Sequence, residues 1–298
     1  MVGAVLFGLQ REDIPVRTMH ARFAICFVLI LAACSSAVTS PDPTVAPRAT
    51  SSVIASATPN PNAPTLEGSF VVADDGREVV LRCWGEGDPT VFVDGGCCGS
   101  DGTLQGLSRE FIRRIASSTR ICVYDRAGTG GSDPAPEGRP RTADDVIADL
   151  HALIAAAGLD RALVLVGASF GGMIVTYYAA RYPERVAGVV LLDVPAPSAM
   201  MRLEDEPGLS WDDPSNPEHL DVVAGFENRF ASERNPFDAP LLVITATDGQ
   251  SDVADQSFWL DLSPDGRQIE IEGGHGLDHD NPEEAADLIL DLVDGVET

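Results

Sequence analysis

The stretch ALVLVGASFGGMIVTYYAARY at residues 162–182 decides the fold. Its first five residues are apolar and rich in Val and Leu, the composition of a strand buried on both faces. Phe170 to Tyr182 then spaces its apolar residues as a helix does and stops at Pro183. Between the two lies Gly167-Ala168-Ser169-Phe170-Gly171, a G-x-S-x-G pattern. In a glycine-rich chain the bare pattern is weak evidence. Its position between a strand and a helix gives it meaning, because a serine there occupies a tight turn that thrusts its hydroxyl out of the sheet. Small flanking residues let strand and helix approach closely enough for that turn.

Outward from this corner the chain alternates strands and helices. EVVLRCW at 78–84, TVFV at 90–93 and RICVY at 120–124 read as short strands, with a helix over 108–117 between the last two. Residues 143–157 form an amphipathic helix with Val146, Ile147, Leu150, Leu153 and Ile154 on one stripe, closed by Gly158. Strands follow at 163–166, 186–192, 241–245 and 268–271, and a last helix at 283–293 is entered through Pro282. This order predicts an α/β fold, a mostly parallel sheet with helices on both faces. Ligands then sit at the carboxyl ends of the strands.

A serine needs a base to become a nucleophile, and the base needs an acid to orient it. The chain has five histidines. His20 lies in the leader, His151 mid-helix and His219 in an acidic insertion, while Asp278 and Asp280 flank His279 as on a surface loop. His275 follows the last strand in Gly273-Gly274-His275-Gly276 and precedes the last helix. The chain order Ser…Asp…His of a strand–elbow–helix enzyme is then met with His275 as base.

At these residues the chain resembles an α/β-hydrolase from Thr90 to its C-terminus. The matching pieces are TVFVDGG, VYDRAGTGGSDPAP, the helix segment ADLHALIAAAG at 148–158, VLVGASFGGMIVTYYAARYPERVAGVVLLD, LLVITATDGQSD and GGHGLDHDNPEEAADLI. The resemblance implies a Ser169–His275–acid triad, no cofactor, and hydrolysis of an ester, amide or similar acyl bond. It places the acid after the strand at 241–245, or after the preceding strand. Asp252 is favoured, with Asp248 and Asp193 as alternates. It implies an oxyanion hole made by the N–H of Phe170 and by Gly96 or Cys97, in a loop where many family members carry His-Gly and this chain carries Asp94-Gly95-Gly96. Tyr124-Asp125-Arg126 and the glycines after it read as scaffold beneath the site. Serine at the elbow argues against dehalogenases and epoxide hydrolases of this fold, which use Asp there.

Residues 194–240 are long for a connection inside a domain, which implies a helical cap with an apolar underside and a solvated acidic outside. The substrate expected is a small acyl compound, neutral or apolar. A perhydrolase, lactonase or acyltransferase on the same triad is an alternative, as is a non-catalytic surface-anchored binding protein.

The whole chain is 298 residues with 44% hydrophobic and 22% charged positions, a globular composition. Its net charge is −26, with 46 acidic residues against 20 basic ones, all of them Arg. Such a field repels phosphate backbones, so nucleic acid is excluded as a partner, and anionic lipid surfaces are disfavoured. No CxxC spacing or His cluster suggests zinc or another metal.

AICFVLILAA at 24–33, with Arg17, His20 and Arg22 upstream, is too short to span a bilayer and reads as a secretory signal over residues 1–33. It ends Leu31-Ala32-Ala33-Cys34, which resembles the bacterial lipoprotein box with Cys34 lipidated. Residues 34–65 are Ser, Thr, Pro and Ala with few large apolar side chains, a tether to a catalytic domain at 66–298. The expected protein is exported and held on the outer face of the cell membrane by its lipid. Four further cysteines, Cys83, Cys97, Cys98 and Cys122, leave three complete pairings open. On this reading Cys34→Ser moves the protein out of the membrane fraction, and unchanged partition on cell fractionation removes the lipid anchor.

Overall fold

A computed structural model describes residues 63–96, 106–197, 210–222 and 236–296. The chain divides into two units, Met1–Ser56 and Ala57–Thr298, and every described residue lies in the second. Cys34, Cys97, Cys98 and much of the 194–240 insertion lie outside the described residues.

Eight strands form one sheet: β1 (Leu66–Val71), β2 (Glu78–Trp84), β3 (Val91–Asp94), β4 (Ile121–Tyr124), β5 (Leu163–Ala168), β6 (Val186–Leu192), β7 (Leu241–Asp248) and β8 (Gly266–Gly274). Their spatial order is β1-β2-β4-β3-β5-β6-β7-β8. The first two strands run antiparallel to their neighbours, and β3 to β8 pair in parallel. The strands expected from sequence are all present, and β5, β7 and β8 are longer than expected by two, three and five residues. β1 is an addition: its residues alternate between half-buried and exposed, so LEGSFV carries no continuous apolar signal.

Among the described residues the α-helices are α1 (Arg109–Ala116), α2 (Ala143–Ala156), α3 (Gly171–Arg181), two single turns α4 (Val253–Gln256) and α5 (Leu277–Asp280), and α6 (Pro282–Val296). Along a strand successive side chains point to opposite faces. Leu163 and Leu165 of β5 enter one core cluster with Val146, Leu150, Met173 and Ile174 of α2 and α3. Val164 and Val166 enter the other with Phe111, Ile115, Ile289 and Val293 of α1 and α6. Helices therefore cover both faces, which is why the strands read as unbroken apolar runs. Gly158 ends α2 at φ +68°, the left-handed conformation expected of a C-terminal glycine. Among the described residues no helix is long and apolar enough to cross a membrane.

Two features of the topology place the site. β3 lies between β4 and β5, so the chain leaves it toward one edge of the sheet and later builds the other edge outward from β5. The reversal opens a crevice at the carboxyl ends of β3 and β5. The ends of β6 and β8 border the same edge.

Cys83 and Cys122 face each other directly in the antiparallel pairing of β2 and β4, both are fully buried, and they form a disulfide. Closing a segment with a sequence separation of 39 restrains the unfolded chain. The double variant Cys83→Ala/Cys122→Ala is expected to lose about 2–4 kcal/mol of stability in urea unfolding, and an unchanged midpoint with unchanged slope contradicts the cross-link.

Candidate active site

Ser169 follows the last residue of β5 and precedes α3, half-buried, with φ +52°. A side-chain-bearing residue in the left-handed region costs of order 1 kcal/mol or more and persists only where its surroundings hold it. Three glycines hold this one. A Cβ on Gly167 would overlap the backbone of Gly172, one on Gly172 would overlap the Val194 side chain, and one on Gly171 would overlap the carbonyl groups of Asp94 and Gly95. The turn is therefore clamped between the start of α3 and the end of β3. The Ser169 N–H donates to the Leu192 carbonyl at 3.1 Å, tying the corner to the end of β6.

His275 lies just after β8, also half-buried, and its Nδ1 is 2.7 Å from Oδ2 of Asp193. The carboxylate partner of His275 is thus Asp193, the residue directly after β6, rather than the favoured Asp252. Asp252 is exposed and precedes the single turn α4, and Asp248 is exposed at the end of β7. The reason is the folding of the β7–α4 loop over Asp193. Oδ1 accepts from Gln256 Nε2 at 2.6 Å and from the Ala246 N–H at 3.2 Å, and Oδ2 accepts from the Gln250 N–H at 3.2 Å. A Cβ on Gly249 would overlap that carboxylate, so the residue crossing it is a glycine. Burial pushes the Asp193 carboxyl up, but the hydrogen bonds from His275, Gln256 and the two backbone N–H groups outweigh it and hold its pKa below the usual carboxylate value. Asp193 also has a positive φ, +43°. The sequence did carry a signal for it: a carboxylate that directly ends the apolar strand VAGVVLL has nowhere to go but the carboxyl edge.

The loop expected to form the oxyanion hole follows β3. A Cβ built on Gly96 would be 3.6 Å from the Ser169 Cβ and 3.9 Å from its Oγ, so this loop faces the serine. Phe170 is buried at the start of α3. Cys97 lies outside the described residues. Beneath the loop sits Arg126, which is 2% exposed and ion-paired with Asp94 and Glu218. Tyr124 donates its hydroxyl to Asp94 at 2.6 Å. Burial raises the Asp94 carboxyl above its ordinary range despite the attraction of Arg126.

Among the described residues the other histidines take structural places, His219 with its Nδ1 2.9 Å from the Trp211 carbonyl oxygen. His151 stacks on Tyr182 with ring centroids 3.9 Å apart, and His279 bonds the Gly106 carbonyl through Nε2 at 2.6 Å. Asp280 accepts the Gly274 N–H at 2.7 Å and so braces the turn that carries His275. Of the expected cap, residues 210–221 consist of turns and one isolated bridge, Leu220 to Arg141.

Residues 88–217 match the family described as the alpha/beta hydrolase fold. The chain is 34% identical over 171 residues to a non-heme haloperoxidase of Rhodococcus erythropolis, covering 56% of each chain. It is 30% identical over 172 residues to a bifunctional esterase/perhydrolase of Acinetobacter calcoaceticus, again covering 56% of each. The chain thus spans 56% of the length of either curated relative. Among solved structures it is similar to a thermophilic esterase from Thermogutta terrifontis, with a TM-score of 0.59 and 20% identity over 78% of this chain and 100% of that one. A hydrolase from Pseudomonas aeruginosa gives a TM-score of 0.62 at 15% identity, over 76% of this chain and 97% of that one. The strand order, the serine corner between β5 and α3 and these matches agree: the chain has the α/β-hydrolase fold.

Proposed function

We propose that this protein is a serine hydrolase that cleaves an ester or related acyl bond through an acyl-enzyme, with Ser169 as nucleophile, His275 as base and Asp193 as the acid that orients it. The observation that carries this reading is the 2.7 Å pair between Asp193 and His275, delivered to the carboxyl edge where the strained Ser169 turn stands. A carboxylate on Nδ1 fixes the tautomer that leaves Nε2 to take the serine proton, and it stabilises the imidazolium that forms. Ser169 Oγ attacks the acyl carbon while His275 accepts its proton, and the N–H groups of Phe170 and Gly96 or Cys97 hold the developing oxyanion. The imidazolium then protonates the leaving group. Water, deprotonated by His275, releases the acyl group and restores the serine.

The similarity to relatives named haloperoxidase and esterase/perhydrolase favours a second reading on the same residues. There hydrogen peroxide takes the place of water at the second step, and the product is a peracid. Lipid attachment at Cys34 would put this chemistry outside the cytoplasm. The buried Cys83–Cys122 disulfide supports an oxidising compartment.

Hydrolysis of p-nitrophenyl esters of increasing chain length, with Ser169→Ala as control, tests the reaction class. Asp193→Asn should lower kcat by about 10,000-fold, as loss of the correct tautomer does in protease triads, whereas Asp252→Asn should stay within about threefold of wild type. The reverse ranking returns the acid role to Asp252. Linkage gives an independent check. Because the folded-state pKa of Asp193 lies below its unfolded value of about 3.9, the stabilisation is complete above about pH 4 and is lost as pH falls through the folded value. The urea midpoint of wild type should therefore fall more steeply than that of Asp193→Asn as pH drops below about 4, and parallel profiles contradict the hydrogen-bond set assigned to Asp193.

A further inference from the structure

Arg126 uses every N–H it has. Nε donates to Glu218 Oε2 at 2.6 Å and Nη2 to Glu218 Oε1 at 2.9 Å. Nη1 donates to Asp94 Oδ1 at 2.5 Å and to the Gly95 carbonyl at 3.0 Å, and Nη2 donates to the Gly96 carbonyl at 2.6 Å. Five donors in a fixed planar fork thus meet five acceptors. Two carboxylates neutralise the guanidinium and leave the cluster with a net charge of −1. A buried cluster of that sign opposes a developing oxyanion, so charge stabilisation of the reaction is not what Arg126 supplies. Its two bonds to main-chain carbonyls remain to be explained.

Those carbonyls belong to consecutive glycines, which have no side chains to fix their peptide planes and no intrinsic preference for one orientation. A trans peptide is planar, with its C=O and N–H pointing in opposite directions. When Arg126 holds the Gly95 oxygen, the Gly96 N–H of the same peptide must point away from Arg126. Gly96 is the residue that stands against Ser169. The guanidinium also lies 5.9 Å from the centroid of the Phe170 ring, beside the other expected donor. The start of α3 also packs on the Asp94 and Gly95 carbonyls.

We infer that Arg126 is a positioning residue that fixes the oxyanion donors of the Asp94–Gly96 loop, and that Glu218 of the 194–240 insertion holds Arg126 in place. This rests on the triad reading above. Glu218 is fully buried, and its neighbour His219 is the third described non-glycine residue with positive φ, at +52°. The turn carrying them is pinned to the domain by the Arg141 N–H to the His219 carbonyl at 2.7 Å and by the Asp221 N–H to the Arg141 carbonyl at 3.0 Å. A Cβ on Gly128 would overlap the Pro217 carbonyl, so the loop after β4 also closes onto this turn. The insertion thereby contributes a buried carboxylate behind the oxyanion loop.

Arg126→Lys keeps the charge but cannot reproduce the fork. Glu218→Gln keeps the shape and one acceptor while removing the counter-charge. Both are compared with wild type for kcat and KM on a p-nitrophenyl ester, for labelling of Ser169 by a fluorophosphonate, and for inhibition by an alkyl trifluoromethyl ketone. In that inhibited form Ser169 Oγ adds to the ketone carbon, its proton passes to His275, and the carbonyl oxygen becomes the anion that occupies the hole. Removing one oxyanion donor costs about 100- to 1,000-fold in kcat. Arg126→Lys should show about that loss with KM within about threefold, and its inhibition constant for the ketone should rise in proportion to the fall in kcat/KM. Glu218→Gln should show a smaller loss, about tenfold, on the same line. If Arg126→Lys does not fold, Glu218→Gln decides alone. A folded variant with kcat within threefold of wild type overturns the inference, as does a loss of kcat that leaves ketone inhibition unchanged. Failure of wild type to be labelled at Ser169 is a different result and overturns the triad reading instead.

Discussion

Everything at the serine edge of the sheet follows from how closely two backbones approach. The start of α3 rests on the carbonyl groups of Asp94 and Gly95, and only a residue without a side chain fits at Gly171. The β3–β5 ladder pairs Asp94 with Gly167, and the close contact at Gly171 seats the start of α3 against it, beside Ser169 and Gly96. Gly167 and Gly172 do the same between strand and helix, and Gly172 leaves room for Val194 just past β6. The serine turn can be left-handed because the sheet on one side and the helix on the other allow it no alternative.

The three described non-glycine residues with positive φ are Ser169, Asp193 and His219. Strain in such residues gathers where surrounding structure over-determines the backbone. Here two of them are the serine of the β5–α3 corner and the carboxylate bonded to His275, and the third adjoins Glu218, the carboxylate paired with Arg126. The charges follow a similar economy. Asp193 is kept anionic by four hydrogen bonds, and Asp94 and Glu218 share one guanidinium. A buried charge left without its partner costs several kcal/mol, about 3–5, so each of these side chains constrains the others.

The relation between sequence and site is uneven for a physical reason. The places of Ser169 and His275 are legible because they depend on local chain geometry: a turn between a strand and a helix, and a glycine-rich loop before the last helix. The carboxylate partner of His275 is harder to read. Asp252 sits in a loop of the right place and composition, yet the loop folds back so that Gly249 and Gln250 cover Asp193 and leave Asp252 in solvent. β1 escaped because a half-exposed edge strand has neither an apolar run nor a clean alternation of large side chains. The sequence marks Arg126 as scaffold; its bonds to the Gly95 and Gly96 carbonyls and to Glu218, 92 residues away, are tertiary contacts.

By itself the sequence determined the class of fold, because continuous apolar strands and amphipathic helices can bury their surfaces in few ways. It also determined the serine corner and the histidine loop, whose patterns are contained within a dozen residues. Tertiary structure alone decided which carboxylate meets His275, which cysteines pair across β2 and β4, and what holds the Asp94–Gly96 loop. Those choices are contacts between segments far apart in the chain. They depend on strand order and loop path, and no local pattern of residues encodes either.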